Sequence, residues 1–174
     1  MAFRKASALV ACGAKVTVVS PQVSTGLARL VKRGKAVWRP RSFRPNDLEK
    51  MELAVAATNR QPVNERAARE ARARRVWINV VDQPELCSFI FPSVVRRGKL
   101  VLAISTEGAS PALAKWIRRD LERRYGPEVK IFLEEAARVR PRMKHAVPGA
   151  GKRKRLFEKA LQTYLKVLKA GGPE

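Results

Sequence analysis

Residues 53 to 82 read LAVAATNRQPVNERAAREARARRVWINVVD, and this stretch decides the fold class. Leu53 to Thr58 and Val76 to Val81 are apolar runs with almost no alternation. Such runs suit strands buried on both faces of a parallel sheet. Residues 62 to 73 between them carry a helical pattern, so the unit reads strand, helix, strand. A helical crossover of this length returns the second strand parallel to the first.

The same alternation continues toward the N-terminus. Residues 2 to 12 read as a helix ended by Gly13, and Lys15 to Val19 as a β-branched strand ended by Ser20-Pro21. Residues 23 to 33 read as a second helix, with Leu27, Leu30 and Val31 on one face and Gly34 closing it. A short strand follows at Ala36 to Trp38. The expected class is α/β, a Rossmann-like doubly wound parallel sheet. Such a sheet normally opens with a strand and a glycine-rich turn, yet here the first element is a helix. The remaining strands would flank a place where backbone groups lack partners.

Toward the C-terminus the pattern changes. Phe89 to Val95 and Leu100 to Ser105 are strand-like around a turn at Arg96-Arg97-Gly98-Lys99. Ser110 caps a helix that has Pro111 first and an apolar stripe of Leu113, Ile117 and Leu121, broken by Gly126-Pro127. Helices are expected near 128 to 140 and 153 to 169, separated by a break at 148 to 151. In the last one Phe157, Leu161, Tyr164, Leu165 and Leu168 share a face, which suits core packing or a partner subunit.

Composition narrows the function. The chain has 37 Lys and Arg against 15 Asp and Glu, a net charge of +22. Residues 1 to 87 hold 17 basic and 7 acidic side chains and the rest hold 20 and 8, so there is no detached basic tail. Charge therefore names anionic partners without choosing between nucleic acid and a small polyacid. No zinc-finger spacing or aromatic RNA-binding strand appears, which does not favour nucleic acid. Cys12 and Cys87 provide neither a disulfide framework nor a CxxC pair. His145, the only histidine, has no companion ligand, so no metal site is expected. With no signal-peptide core and no membrane-length apolar run, a cytoplasmic protein is expected.

Several segments together are specific. In order they are Ala2-Phe3-Arg4-Lys5, Gly13-Ala14-Lys15-Val16-Thr17-Val18-Val19-Ser20-Pro21, Ala56-Ala57-Thr58-Asn59 and Asn79-Val80-Val81-Asp82 with Pro84. Ser88-Phe89-Ile90 with Pro92 and Ser105-Thr106-Glu107-Gly108-Ala109-Ser110-Pro111 complete the series. The chain resembles the precorrin-2 dehydrogenase family, which includes the N-terminal half of multifunctional sirohaem synthases. It departs at the start, where the family has a strand and a GGGxVAxRK loop of which only the end is matched. About 20 further residues upstream, bearing the strand and glycine-rich turn, are the expectation.

The resemblance implies NAD-dependent oxidation of precorrin-2 to sirohydrochlorin and leaves ferrous-iron insertion open. It implies three regions: a dinucleotide-binding domain over 1–91, a dimerisation region over 92–125 and a basic helical region over 126–174. NAD is expected over the helix start at Ala2, with its adenosine ribose near Ser20, Pro21 and Gln22 and its nicotinamide side near Thr58 and Asn59. No acidic residue stands by the ribose position, so NAD and NADP are poorly distinguished. Asp82, after a buried strand, is the expected general base, and Ser105, Thr106 and Ser110 are expected to receive a substrate carboxylate. Thr58 and Asn59 read equally as strand end and helix cap, Asp82 as a turn residue before Pro84, and Ser110 as a simple cap. Cys87 reads as a small buried side chain. The polycarboxylate substrate accounts for part of the positive charge, and a homodimer is implied. The competing reading is a non-catalytic relative that binds a tetrapyrrole or nucleic acid.

Overall fold

The computed structural model describes the backbone of residues 1–170 and the side chains of residues 1–166. It divides into two compact units, Met1–Phe91 and Pro92–Glu174.

In the first unit, α1 (Ala2–Ala11) leads to β1 (Val16–Val19), α2 (Thr25–Lys32), β2 (Ala36–Arg39), β3 (Leu53–Ala56), α3 (Gln61–Ala73) and β4 (Trp77–Val80). Helix α1 closes as expected at Gly13, whose N–H donates to Val10 O while Ala14 N–H donates to Leu9 O. Ser24 caps α2 by accepting from Leu27 N–H. A Cβ at Gly26 would lie 2.8 Å from the Phe3 ring, so only glycine lets α2 approach α1 this closely. The small residues Ala67, Ala68 and Ala71 let α3 lie close against Val76, Ile78, Val80 and Leu48, forming the core of this unit.

The α/β class is as expected, with β1 parallel to β2 and β3 parallel to β4. The strands form two separate two-stranded sheets, so among the described residues β1 and β3 each keep one edge without a strand partner. This corrects the expected burial of Leu53 to Thr58. The strand ends at Ala56, and all four of its residues are half-buried, because a strand with an open edge has cover on one side only. Strand β4 is buried at Ile78, Asn79 and Val80, although Trp77 at its start is exposed.

The outer edge of β4 is closed in an unusual way. Ser88 Oγ accepts from Ile78 N–H at 2.7 Å and Cys87 Sγ accepts from Val80 N–H at 3.1 Å. Ser88 N–H donates to Ile78 O at 2.8 Å. Two side chains thus do the work of a neighbouring strand. This explains why the strand expected at Phe89 to Val95 begins only at Ser93: residues 87 to 89 are already engaged on β4, and Pro92 cannot donate to a ladder.

In the second unit, β5 (Ser93–Arg97) and β6 (Leu100–Ile104) form an antiparallel hairpin, followed by α4 (Pro111–Arg124), α5 (Glu128–Ala146) and α6 (Ala150–Ala170). Arg97 pairs with Leu100, so the turn is Gly98-Lys99 rather than the four residues expected. Gly98 has φ +59° at the first central position, where type II′ hairpins need glycine. Helix α5 runs past the expected end at 140 and through Pro141, giving up the one ladder bond that proline cannot donate. The break lies at Val147–Gly149, and α6 starts at Ala150. Phe132 of α5 stacks on Tyr164 of α6 at 4.1 Å between ring centres. Of the expected α6 stripe, Phe157, Tyr164 and Leu165 are half-buried, Leu161 is exposed, and the Leu168 side chain lies outside the described residues. Leu113, expected on the apolar stripe of α4, is exposed.

The link from β2 to β3 is organised by Asp47, in a single 3-10 turn at Pro45–Leu48. Arg41 binds its carboxylate through two bonds of 2.8 and 2.6 Å, Arg39 adds a third at 2.9 Å, and Arg44 N–H a fourth at 2.9 Å. The bonds from Arg41, with those from Arg44 N–H and Arg39, hold the carboxyl well below the usual carboxylate range against the opposing effect of burial. A depressed pKa contributes stability that is complete above the unfolded value of about 4 and is lost as the pH falls below it. Since both arginines keep substantial exposure, Asp47→Ala should cost only about 1–2 kcal/mol. Thermal denaturation should show a melting temperature lower by roughly 2–8 °C near neutral pH. The gap between variant and parent should shrink as the pH is lowered through 4 and beneath.

Candidate active site

The carboxyl end of β4 turns sharply. Gln83 N–H donates to Val80 O at 3.4 Å, closing a turn with Val81 and Asp82 at its centre. Asp82 has φ +61°, at the turn position that favours glycine or asparagine. Pro84 then opens a single 3-10 turn at Pro84–Leu86. Asp82 is exposed, and no hydrogen bond reaches its side chain among the described residues. A carboxylate held in a left-handed conformation with both oxygens free suits a role outside the chain's own packing. Beside it the Gln83 side chain buries Oε1 without a partner among the described residues. An orphaned acceptor of this kind invites a donor from a bound molecule.

Lys5, in the first turns of α1, joins this end of β4. Its ammonium sits 3.9 Å above the centre of the Phe91 ring. Burial lowers its pKa, helped by repulsion from Arg4 and opposed by the nearby Cys87 and Asp82. The start of α1 carries no acidic side chain and no side-chain cap. Arg4 and Lys5 N–H both donate to Met1 O, so the free amides at this end are those of Ala2 and Phe3.

The other expected residues fall into two groups. Ser20 follows β1 and is fixed by its backbone: its N–H donates to Arg39 O at 3.3 Å and its carbonyl accepts from Trp38 Nε1 at 2.9 Å. Pro21 and Gln22 beyond it are exposed. Thr58 Oγ1 lies 2.8 Å from Asn64 Oδ1 and accepts from Arg60 N–H at 3.1 Å, while Asn64 Nδ2 donates to Thr58 O at 3.0 Å. The Thr58 hydroxyl is therefore committed to the turn into α3. The cap of that helix is Arg60, not Thr58 or Asn59, because the helix starts at Gln61, one residue before the expected 62. Asn59 is exposed.

Ser105, Thr106 and Ser110 belong to the second unit, in the turn from β6 into α4. Ser105 Oγ accepts from Glu107 N–H, Thr106 Oγ1 from Ser110 N–H, and Ser110 Oγ from Leu113 N–H, each at 3.2 Å. All three hydroxyls build the turn, and each keeps one O–H to donate. Among the described residues no group of three or more His, Cys, Asp or Glu side chains could hold a metal ion. No described helix is long and apolar enough to cross a membrane.

A family model described as "Putative NAD(P)-binding" matches residues 1–93, more than half of the chain. The chain belongs to this NAD(P)-binding family. A second model, "Sirohaem biosynthesis protein central", matches residues 97–124. Among curated proteins, the siroheme synthase of Pseudomonas paraeruginosa is 38% identical over 93% of this chain and 35% of its own length. Siroheme synthase 1 of Cronobacter sakazakii is 38% identical over 99% of this chain and 36% of its own. The chain thus spans about a third of the length of the curated relatives it matches. Among solved structures, "SirC, precorrin-2 dehydrogenase" superposes with a TM-score of 0.76 at 24% identity, covering 97% of this chain and 89% of that one. At this identity the likeness establishes the fold. The resemblance expected from the sequence segments is therefore found in each comparison.

The NAD(P)-binding unit has groups that fit a dinucleotide. The free amides at Ala2 and Phe3 suit a phosphate, and the exposed Pro21 and Gln22 border the fixed Ser20. The unpartnered Gln83 Oε1 suits an amide donor. Sequence reasoning did not single out Lys5 or Gln83 as candidates. Lys5 stood in a quoted motif, but its approach to the Asp82 turn depends on how α1 packs.

The positive φ at Asp82 makes a stability prediction. Asp82→Gly should remove strain of about 1 kcal/mol, offset in part by glycine's greater entropy in the unfolded chain. Asp82→Asn should be nearly neutral, and Asp82→Ala should be the least stable of the three. Thermal denaturation should give that order, whereas an Ala variant as stable as the Gly variant would remove the strain argument.

Proposed function

We propose that the protein is a cytoplasmic NAD-dependent dehydrogenase that oxidises precorrin-2 to sirohydrochlorin in sirohaem biosynthesis. The observation that carries this reading is the exposed carboxylate of Asp82, held at positive φ on the ligand end of β4 in an NAD(P)-binding unit. Similarity to siroheme synthases supports the substrate class. Oxidation removes a hydride and a proton from the macrocycle. Bound NAD would supply the hydride acceptor. Asp82 takes the proton from the macrocycle as a neighbouring carbon loses hydride, since both its oxygens are free to accept it. Lys5, held against Phe91, lies near that carboxylate, whose charge opposes the lowering of the Lys5 pKa by burial. The amides of Ala2 and Phe3 hold a phosphate, and Ser20, Pro21 and Gln22 border the adenosine ribose. Thr58 and Asn59 line the nicotinamide side.

Ser105, Thr106 and Ser110 offer their remaining O–H groups to substrate carboxylates, and the excess of Lys and Arg steers the polyanion toward the protein. Asp82 can also accept pyrrole protons as ferrous iron enters sirohydrochlorin, so iron is a second candidate substrate. Residues 92–125 serve dimerisation and 126–174 a basic region that is helical over its described part, its last four residues lying outside the described residues. Supporting the homodimer, Val101, Leu113, Trp116 and Ile131 of the second unit are exposed apolar side chains.

Asp82→Asn should lower turnover of precorrin-2 by about 10²- to 10⁴-fold with little change in substrate affinity. Steady-state kinetics would show this as a fall in kcat at constant KM, and an Asn variant with normal kcat would remove Asp82 from the chemistry. If iron insertion falls in parallel, the same carboxylate serves both steps. Light scattering should return a dimer mass, more readily at moderate than at low salt because screening relieves like-charge repulsion. A monomer under both conditions would contradict the assembly.

A further inference from the structure

Cys87 packs beside the core of the first unit, but packing alone does not account for its polar contacts. Its sulfur is 3.1 Å from Val80 N, 3.3 Å from Val80 O, 3.3 Å from Gln83 O and 3.5 Å from Asn79 Nδ2. Val80 and Gln83 are the two ends of the turn that carries Asp82. The thiol therefore bridges both ends, accepting from Val80 N–H and sharing one S–H between the two carbonyls. Asn79 is 6% exposed and braces the arrangement, donating also to Phe89 O at 3.1 Å. The direct bond across the turn, Gln83 N–H to Val80 O, is long at 3.4 Å. That bond alone is weak support for a non-glycine residue at positive φ.

We infer that Cys87 is a positioning residue for Asp82: its thiol clasps Val80 and Gln83 and so fixes the direction of the carboxylate. A side chain only filling space would need no contact with three backbone polar atoms. A nucleophile would need an accessible sulfur, and this one is half-buried and already engaged. The inference rests on Asp82 being the proton acceptor of the proposed reaction. A small displacement of a reacting group is costly, so the effect should be read in kcat.

The test compares Cys87→Ala, Cys87→Ser and the Asp82→Asn background in the intact protein, with precorrin-2 and NAD. Cys87→Ala should lower kcat by about 10-fold, with KM for precorrin-2 and Kd for NAD within about twofold. Cys87→Ser, whose hydroxyl can accept and donate in the same places, should restore most of the loss. In Asp82→Asn protein, Cys87→Ala should lower kcat no further, because the group it positions is gone. An unchanged kcat in Cys87→Ala, or an equal fall in both backgrounds, would overturn the inference. Amide hydrogen exchange separates this from the catalytic reading. The Val80 and Gln83 amides should exchange faster in Cys87→Ala while the Ile78 amide, held by Ser88, stays protected. If the parent protein fails to oxidise precorrin-2, the proposed reaction falls, and exchange at Val80 and Gln83 still decides the clasp. Unaltered exchange there would overturn it whatever the turnover.

Discussion

The obligation of strand edges to find hydrogen-bond partners shapes the first unit more than any single contact. Strand β4 meets it with β3 on one side and with the side chains of Ser88 and Cys87 on the other. Strands β1 and β3 meet it on one edge each among the described residues. Burial follows this division closely. Ile78 and Val80 are enclosed, whereas Leu53, Ala54, Val55 and Ala56, an equally apolar run, remain half-buried. Hydrophobicity gives a strand its reason to be covered, but pairing decides which strands are.

Closing an edge with side chains has a second effect. A strand neighbour would carry β4 onward in a straight ladder. Ser88 and Cys87 instead let the backbone leave the sheet at once, into the Val80–Gln83 turn. That is how a carboxylate comes to stand free at the end of a buried strand. The sheet supplies rigidity, and the turn supplies exposure. Both are needed where a group must be held still and still meet a ligand.

The elements were largely legible in the sequence because their signals are local. Ser110 caps its helix, Gly13 and Gly34 close theirs, and the apolar runs at residues 53 and 76 form strands. Asp82 was legible as a candidate from its place after a buried strand. Its left-handed backbone was not, since aspartate tolerates many turn positions. The late start of β5 was hidden for a related reason. Phe89 to Phe91 have strand-forming side chains, but the preceding Cys87 and Ser88 are engaged on β4 through contacts that no spacing rule announces. Lys5 depended on tertiary packing in the same way: nothing in Arg4-Lys5 says which of the two will reach Phe91. Helix α5 ran through Pro141 because one proline removes one ladder bond without forbidding the next turn.

The arginine-rich link between β2 and β3 would be an inviting target for trypsin-like proteases, which cut after exposed basic residues in loops. Its arginines are guarded by both sequence and structure. Arg39 and Arg44 are each followed by proline, at Pro40 and Pro45, a bond such enzymes cleave poorly. The third arginine, Arg41, precedes Ser42 and has no such protection, yet its guanidinium is locked onto Asp47 through two bonds. A protease that needs that guanidinium in its own specificity pocket must first break the clamp. The ion pair that fastens the loop thus also hides the Arg41–Ser42 bond, which leaves cleavage of the link to the exposed Lys50 before Met51.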